Sequence, residues 1–94
     1  MLEAARKSNR NTDVKSEDYK RLQIVVNTIS RYLQIYDLDN GTVHSQVFTM
    51  LYTSDKYYTY NQICNTAHIS KNTLIRYVAK YEQLALRISD KLNF

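Results

Sequence analysis

A chain of 94 residues can bury one hydrophobic core but not two, which leaves one small domain and little room for a separate ligand-binding domain. Apolar residues make up 44% and charged residues 23%, an ordinary globular balance. One Gly and no Pro exclude a fold built from many hairpins and favour an all-α chain.

The net charge of +4 is unevenly placed: residues 1–55 carry seven basic and seven acidic side chains, residues 56–94 six basic and two acidic. The whole excess therefore lies in the second half, where it would attract a polyanion. The single Cys64 excludes an intrachain disulfide and fits a reducing interior. No apolar run approaches the roughly 20 residues of a membrane helix, and the amino terminus lacks an apolar stretch of signal-peptide length. The expected location is cytoplasmic, with no membrane partner. Nine Tyr against two Phe suit a small core with amphipathic edges, or else phosphate contact and base stacking.

In chain order, residues 1–15 are polar, with Arg6, Lys7, Arg10 and Lys15 against Glu3 and Asp13. They are expected to be a flexible basic tail, with Leu2, Ala4 and Ala5 able to begin a frayed turn. The remainder, residues 16–94, is expected to be one helical domain. Ser16 can cap a helix whose first turn carries Glu17 and Asp18 at the positive end of its dipole. Tyr19, Leu22, Val25 or Val26, Ile29, Tyr32 or Leu33, and Tyr36 follow at helical spacing. The stripe is wide because Ile24, Val25 and Val26 are consecutive, so this helix, residues 16–36, sits centrally or pairs with a second copy.

Residues 37–41, Asp-Leu-Asp-Asn-Gly, form the clear break, and the glycosylation sequon Asn40-Gly41-Thr42 reads as a turn. Thr42 is expected to cap a second helix over residues 43–53, with Val47, Phe48, Met50, Leu51 and Tyr52 as its apolar set. Thr59-Tyr60-Asn61-Gln62 fits a capping box that opens a short helix over residues 60–66. Ser70 caps another, buried along Leu74, Tyr77 or Val78, Tyr81, Leu84 or Ala85, and Ile88. No Gly or Pro stops this last pattern before Leu92, so the helix is long or bends near Ala79-Lys80.

Residues 59–85 have the arrangement a helix-turn-helix requires. Small or apolar residues at Ile63, Cys64 and Ala67 let two helices cross, Ile69 plugs the turn, and Leu74, Tyr77 and Val78 hold the second helix. The expected architecture is thus a small all-α bundle of four or five helices containing that motif. His68 stands where Gly is usual, which requires a left-handed His or a different turn.

If the second helix enters a major groove, Asn72 matches adenine and Arg76 guanine, while Ile75 and Ala79 can meet a thymine methyl. Lys71, Lys80, Ser70 and Thr73 suit phosphates. Thr59 and Tyr60 begin the preceding helix where it crosses the sugar-phosphate backbone. Asn72, Ile75, Arg76 and Ala79 share one stripe.

The residues Thr59, Ile63-Cys64, His68-Ile69-Ser70, residues 73–78 (Thr-Leu-Ile-Arg-Tyr-Val) and residues 81–84 (Tyr-Glu-Gln-Leu) carry a family likeness. Over residues 58–88 the chain resembles the amino-terminal DNA-binding region of TetR-type regulators. Their pattern runs from a Thr-led helix through a Gly-Val-Ser turn to a Thr-Leu-Tyr-x-Tyr-Phe recognition helix. The resemblance implies that Tyr77 and Thr59 contact phosphates. Phage late regulators and the terminal region of sigma factors are similar over the same span, and a stand-alone small regulator suits the length.

No catalytic or metal constellation accompanies the motif. His44 and His68 lack neighbouring Cys or paired carboxylates, and Cys64 falls at the helix position that must be small. Neither an enzyme nor a cofactor is expected. The sequence predicts double-stranded DNA binding in transcription regulation, as a homodimer through helix 16–36, with RNA polymerase a further partner such a regulator could contact. The alternative is a protein-interaction module, an adaptor or anti-regulator, on the same framework.

Overall fold

Helix α2, Glu17–Asn40, is the axis of the bundle in a computed structural model that describes residues 1–8 and 17–94. The other helices are α1 (Leu2–Ser8), α3 (His44–Phe48, continued by a π-helical turn at Thr49–Thr53), α4 (Tyr60–Ala67) and α5 (Lys71–Lys91). Among the described residues there is no strand, so the chain is a small all-α bundle. Helices α1, α3 and α5 pack on α2, and α4 packs between α3 and α5.

The stripe expected on α2 supplies Val25, Val26, Ile29 and Leu33 to the core. They meet Val47, Phe48, Leu51 and Tyr52 from the α3 segment, Ile63 and Ala67 from α4, and Leu74, Tyr81 and Ala85 from α5. At the centre the Phe48 ring stands edge-on to Tyr81, centroids 5.4 Å apart at 86°, and lies 4.9 Å from Tyr52. Such aromatic pairs add about 0.5–1.5 kcal/mol each beyond the area they bury.

Two expectations about the first half are corrected. Residues 1–8 are not a frayed tail: Leu2 and Ala5 are both fully buried. Glu82 on α5 takes the Leu2 N–H on its carboxylate and pairs with the Met1 ammonium at 3.1 Å. It thereby satisfies an orphan amide and places a negative charge at the positive end of α1. Arg6 anchors the other end, donating to the carbonyls of Leu51 (3.2 Å) and Tyr58 (2.6 Å) while its guanidinium lies 4.3 Å from the Tyr57 ring centroid. The rest of the expected tail, residues 9–15, and the cap Ser16 lie outside the described residues.

The second correction concerns the break after α2. The helix continues through Asn40 and ends where Gly41 turns left-handed at φ +63°, its N–H bonded to the Asp37 carbonyl at 2.8 Å. Gly makes that turn without a Cβ clash. Thr42 does not cap α3. Asp37 reaches across the turn instead, accepting from the His44 N–H (2.9 Å), the Ser45 N–H (2.8 Å) and the Thr42 hydroxyl. Burial alone would raise the Asp37 carboxyl, but the bonds from Thr42, Ser45 and His44 together outweigh it and hold it below the usual carboxylate range.

The expected second helix also changes pitch. Its last turn widens to a π-helical one, in which the Ser54 N–H reaches the Thr49 carbonyl at 2.9 Å. On the question left open for α5, the helix is long: it runs unbroken through Ala79 and Lys80.

The two caps in the second half form as expected. Gln62 N–H donates to Thr59 Oγ1 (3.2 Å) and Thr59 N–H to Gln62 Oε1 (2.8 Å), while Thr73 N–H donates to Ser70 Oγ (3.1 Å). Thr59→Ala and Ser70→Ala should each lower unfolding stability by about 0.5–2 kcal/mol, measured as a shift in urea midpoint at unchanged slope.

Candidate nucleic-acid interface

The turn between α4 and α5 is made by His68 in a left-handed conformation, φ 57° and ψ 46°. The Ile69 N–H then folds back to the Cys64 carbonyl at 3.1 Å. This six-to-one bond closes α4, and Ile69 and Cys64 each pack against the edge of the core. A left-handed non-glycine costs roughly 1–2 kcal/mol, offset here by the apolar contacts on either side. Cys64 is half-buried against the core.

Two faces of α5 then separate by helical period. Leu74, Tyr81 and Ala85, seven and eleven residues apart, are buried on the inner face. Lys71, Asn72, Ile75, Arg76, Ala79 and Lys80 are all exposed, Ile75 by 50%. The stripe Asn72, Ile75, Arg76 and Ala79 is therefore presented to solvent by a helix whose other side is fixed in the core. Among the described residues none of Lys71, Arg76 and Lys80 is in an ion pair.

The remaining candidate residues are more occupied. The Ser70 hydroxyl donates to Thr73 Oγ1 at 2.9 Å, and Arg76 Nη2 approaches the same oxygen at 3.3 Å. Ser70 and Thr73 thus serve the cap first, and Arg76 lies back along the helix. Tyr77 is half-buried, its ring 4.3 Å from that of His44, so only part of it is available to a phosphate. Thr59 is exposed, with its hydroxyl oxygen engaged in the capping box. Tyr60 is half-buried, 5.4 Å from the Arg6 guanidinium. That contact was not legible in the sequence, because it joins residues 54 positions apart in a segment expected to be a tail.

Behind the exposed stripe sits His44, buried, with Nδ1 2.7 Å from the Tyr81 hydroxyl. Burial lowers its tendency to protonate and nearby Lys80 adds to this, against the opposing pull of Asp37. The Tyr81 hydroxyl is pushed well up by its own burial and stays protonated, so it shares a hydrogen bond with a neutral imidazole. A lowered folded value means that the unfolded chain binds more protons, so stability must fall as pH drops through the unfolded value near 6.5. The thermal midpoint should hold above that pH and decline below it. In His44→Gln the decline between pH 7.5 and 5.5 should shrink; an identical decline would show that another group carries it.

Among the described residues no group of three His, Cys, Asp or Glu side chains could hold a metal ion, and no helix is long and apolar enough to cross a membrane. Comparison with protein-family models, with curated proteins and with solved structures found no match.

Proposed function

We propose that the protein binds double-stranded DNA sequence-specifically, with the amino-terminal half of α5 in the major groove, as a small cytoplasmic regulator of transcription. The observation that carries this reading is the exposed stripe Asn72, Ile75, Arg76 and Ala79, flanked by Lys71 and Lys80, on a capped helix anchored through Leu74 and Tyr81. Asn and Arg there can pair bidentately with adenine and guanine, and the two Lys with phosphates. The amino terminus of α4, opened by Thr59, supplies backbone amides for an adjacent phosphate. The likeness to the TetR-type DNA-binding region over residues 58–88 supports the same assignment and nothing about a larger protein.

One module of this size meets a few base pairs, and a two-fold pair reads a longer site. Ile24, Ile35 and Leu38 are 48%, 62% and 86% exposed on α2. Eleven and fourteen residues apart, they share the side of the helix turned from the core. This apolar stripe is the proposed homodimer face. Leu38→Glu combined with Ile35→Glu should convert a dimer to a monomer in sedimentation at micromolar concentration; a wild-type monomer that binds its site tightly would defeat the dimer.

In-vitro selection of duplexes from a random pool tests the function. A near-palindromic motif with adenine and guanine at fixed positions is expected. No enrichment at low salt, with a protein partner captured regardless of salt, would favour the interaction module instead.

A further inference from the structure

Helices α2 and α5 leave a cleft of about 190 Å³ between them. Its apolar wall comes from Leu33 and Leu84 and from the rings of Tyr32, Tyr36, His44 and Tyr81. The rings are continuous: Tyr32 lies 6.1 Å from Tyr36, Tyr36 5.6 Å from His44, and His44 5.8 Å from Tyr81. Tyr32 is 48% exposed, so the series ends at an uncovered ring. Lys80 and Arg87, seven residues apart on one side of α5, complete the lining with Gln83. Among the described residues no carboxylate lines the cleft and neither cation is in an ion pair.

An aromatic wall beside these two cations selects a ligand with a flat apolar body and a negative end. The planar fork of Arg87 matches a carboxylate in two parallel bonds, which a Lys alone cannot offer. The cleft is smaller than the roughly 300–1,000 Å³ of sites for drug-sized molecules, which limits the body to one or two rings.

We propose that this cleft binds a small aromatic carboxylate, its ring against Tyr32, Tyr36 and Tyr81 and its charge at Arg87 and Lys80. Lys80 also borders the outer hollow formed with Arg76 and Tyr77. Resting on the DNA-binding reading, the bound acid draws Lys80 from its phosphate and weakens duplex affinity, and by linkage DNA weakens the acid equally.

The probe is 2-naphthoate, titrated into the isotope-labelled full chain without DNA and followed by amide chemical shifts. Saturable shifts confined to residues 32–36, 44 and 80–87 are expected, with a midpoint below about 1 mM. The neutral analogue 2-naphthol should bind about tenfold more weakly, and Arg87→Gln should weaken 2-naphthoate similarly at an unchanged thermal midpoint. Shifts that do not saturate, shifts scattered over the surface, or equal affinity for 2-naphthol would overturn the site. A selected duplex whose affinity is unchanged by saturating 2-naphthoate would overturn the effector role. Because the first titration contains no DNA, its failure is separate from a failure of DNA binding.

Discussion

Arg76→Ala should weaken binding to the selected duplex by about 1–3 kcal/mol and relax the preference at one base position, as expected for a side chain that reads guanine. Arg76 is exposed and its bond to Thr73 Oγ1 is on the protein surface, so the substitution leaves the core intact and the folding midpoint close to that of the parent. Lys71→Ala provides the contrast. It should lower affinity about equally on all sequences and reduce the salt slope by about one, because a phosphate contact carries no sequence information. Equal loss on random and selected DNA for Arg76→Ala would reassign that residue to the backbone.

Leu2→Ala should cost about 2–5 kcal/mol of unfolding stability. Leu2 is fully buried and its neighbour contacts cannot collapse freely, since Arg6 and Glu82 fix α1 at both ends. For a frayed terminus the same substitution would change stability by less than about 0.5 kcal/mol. Urea unfolding therefore separates the two cases, and a midpoint unmoved by Leu2→Ala would detach α1 from the core.

The second half of the chain was legible because its signals are local. The Thr59–Gln62 box and the Ser70 cap each close within three residues, and the buried line Leu74, Tyr81, Ala85 follows the helical period. The wide stripe of α2 likewise identified its buried residues. The contacts that escaped are those joining distant positions. Leu2 and Ala5 give too short an apolar face to set a period, and what fixes them is Glu82, 80 residues from Leu2. Asp37 read as part of a turn, yet its carboxylate crosses that turn to cap α3. At His68 both a left-handed residue and another turn were open, and the conformation follows from the bond of Ile69 to Cys64.

For the candidate interface, the sequence pattern identified which residues leave the core, and Lys71, Asn72, Ile75, Arg76, Ala79 and Lys80 are exposed on α5. It did not distinguish side chains already engaged at home. Tyr77 packs at a tilt against His44 and Tyr60 lies beside Arg6, because both rings sit where one helix face passes into another element. On the proposed DNA-binding reading, Asn72, Ile75 and Arg76 are the residues for base edges, and phosphate contact falls mainly to the Lys side chains and helix amino termini.

The most direct test of DNA binding by α5 is the affinity for a selected duplex measured between 50 and 200 mM salt, conditions over which phosphate contacts are released. A steep fall in affinity, flattened by about one slope unit in Lys71→Ala and again in Lys80→Ala, is predicted. Affinity independent of salt, or a slope untouched by both substitutions, would contradict it.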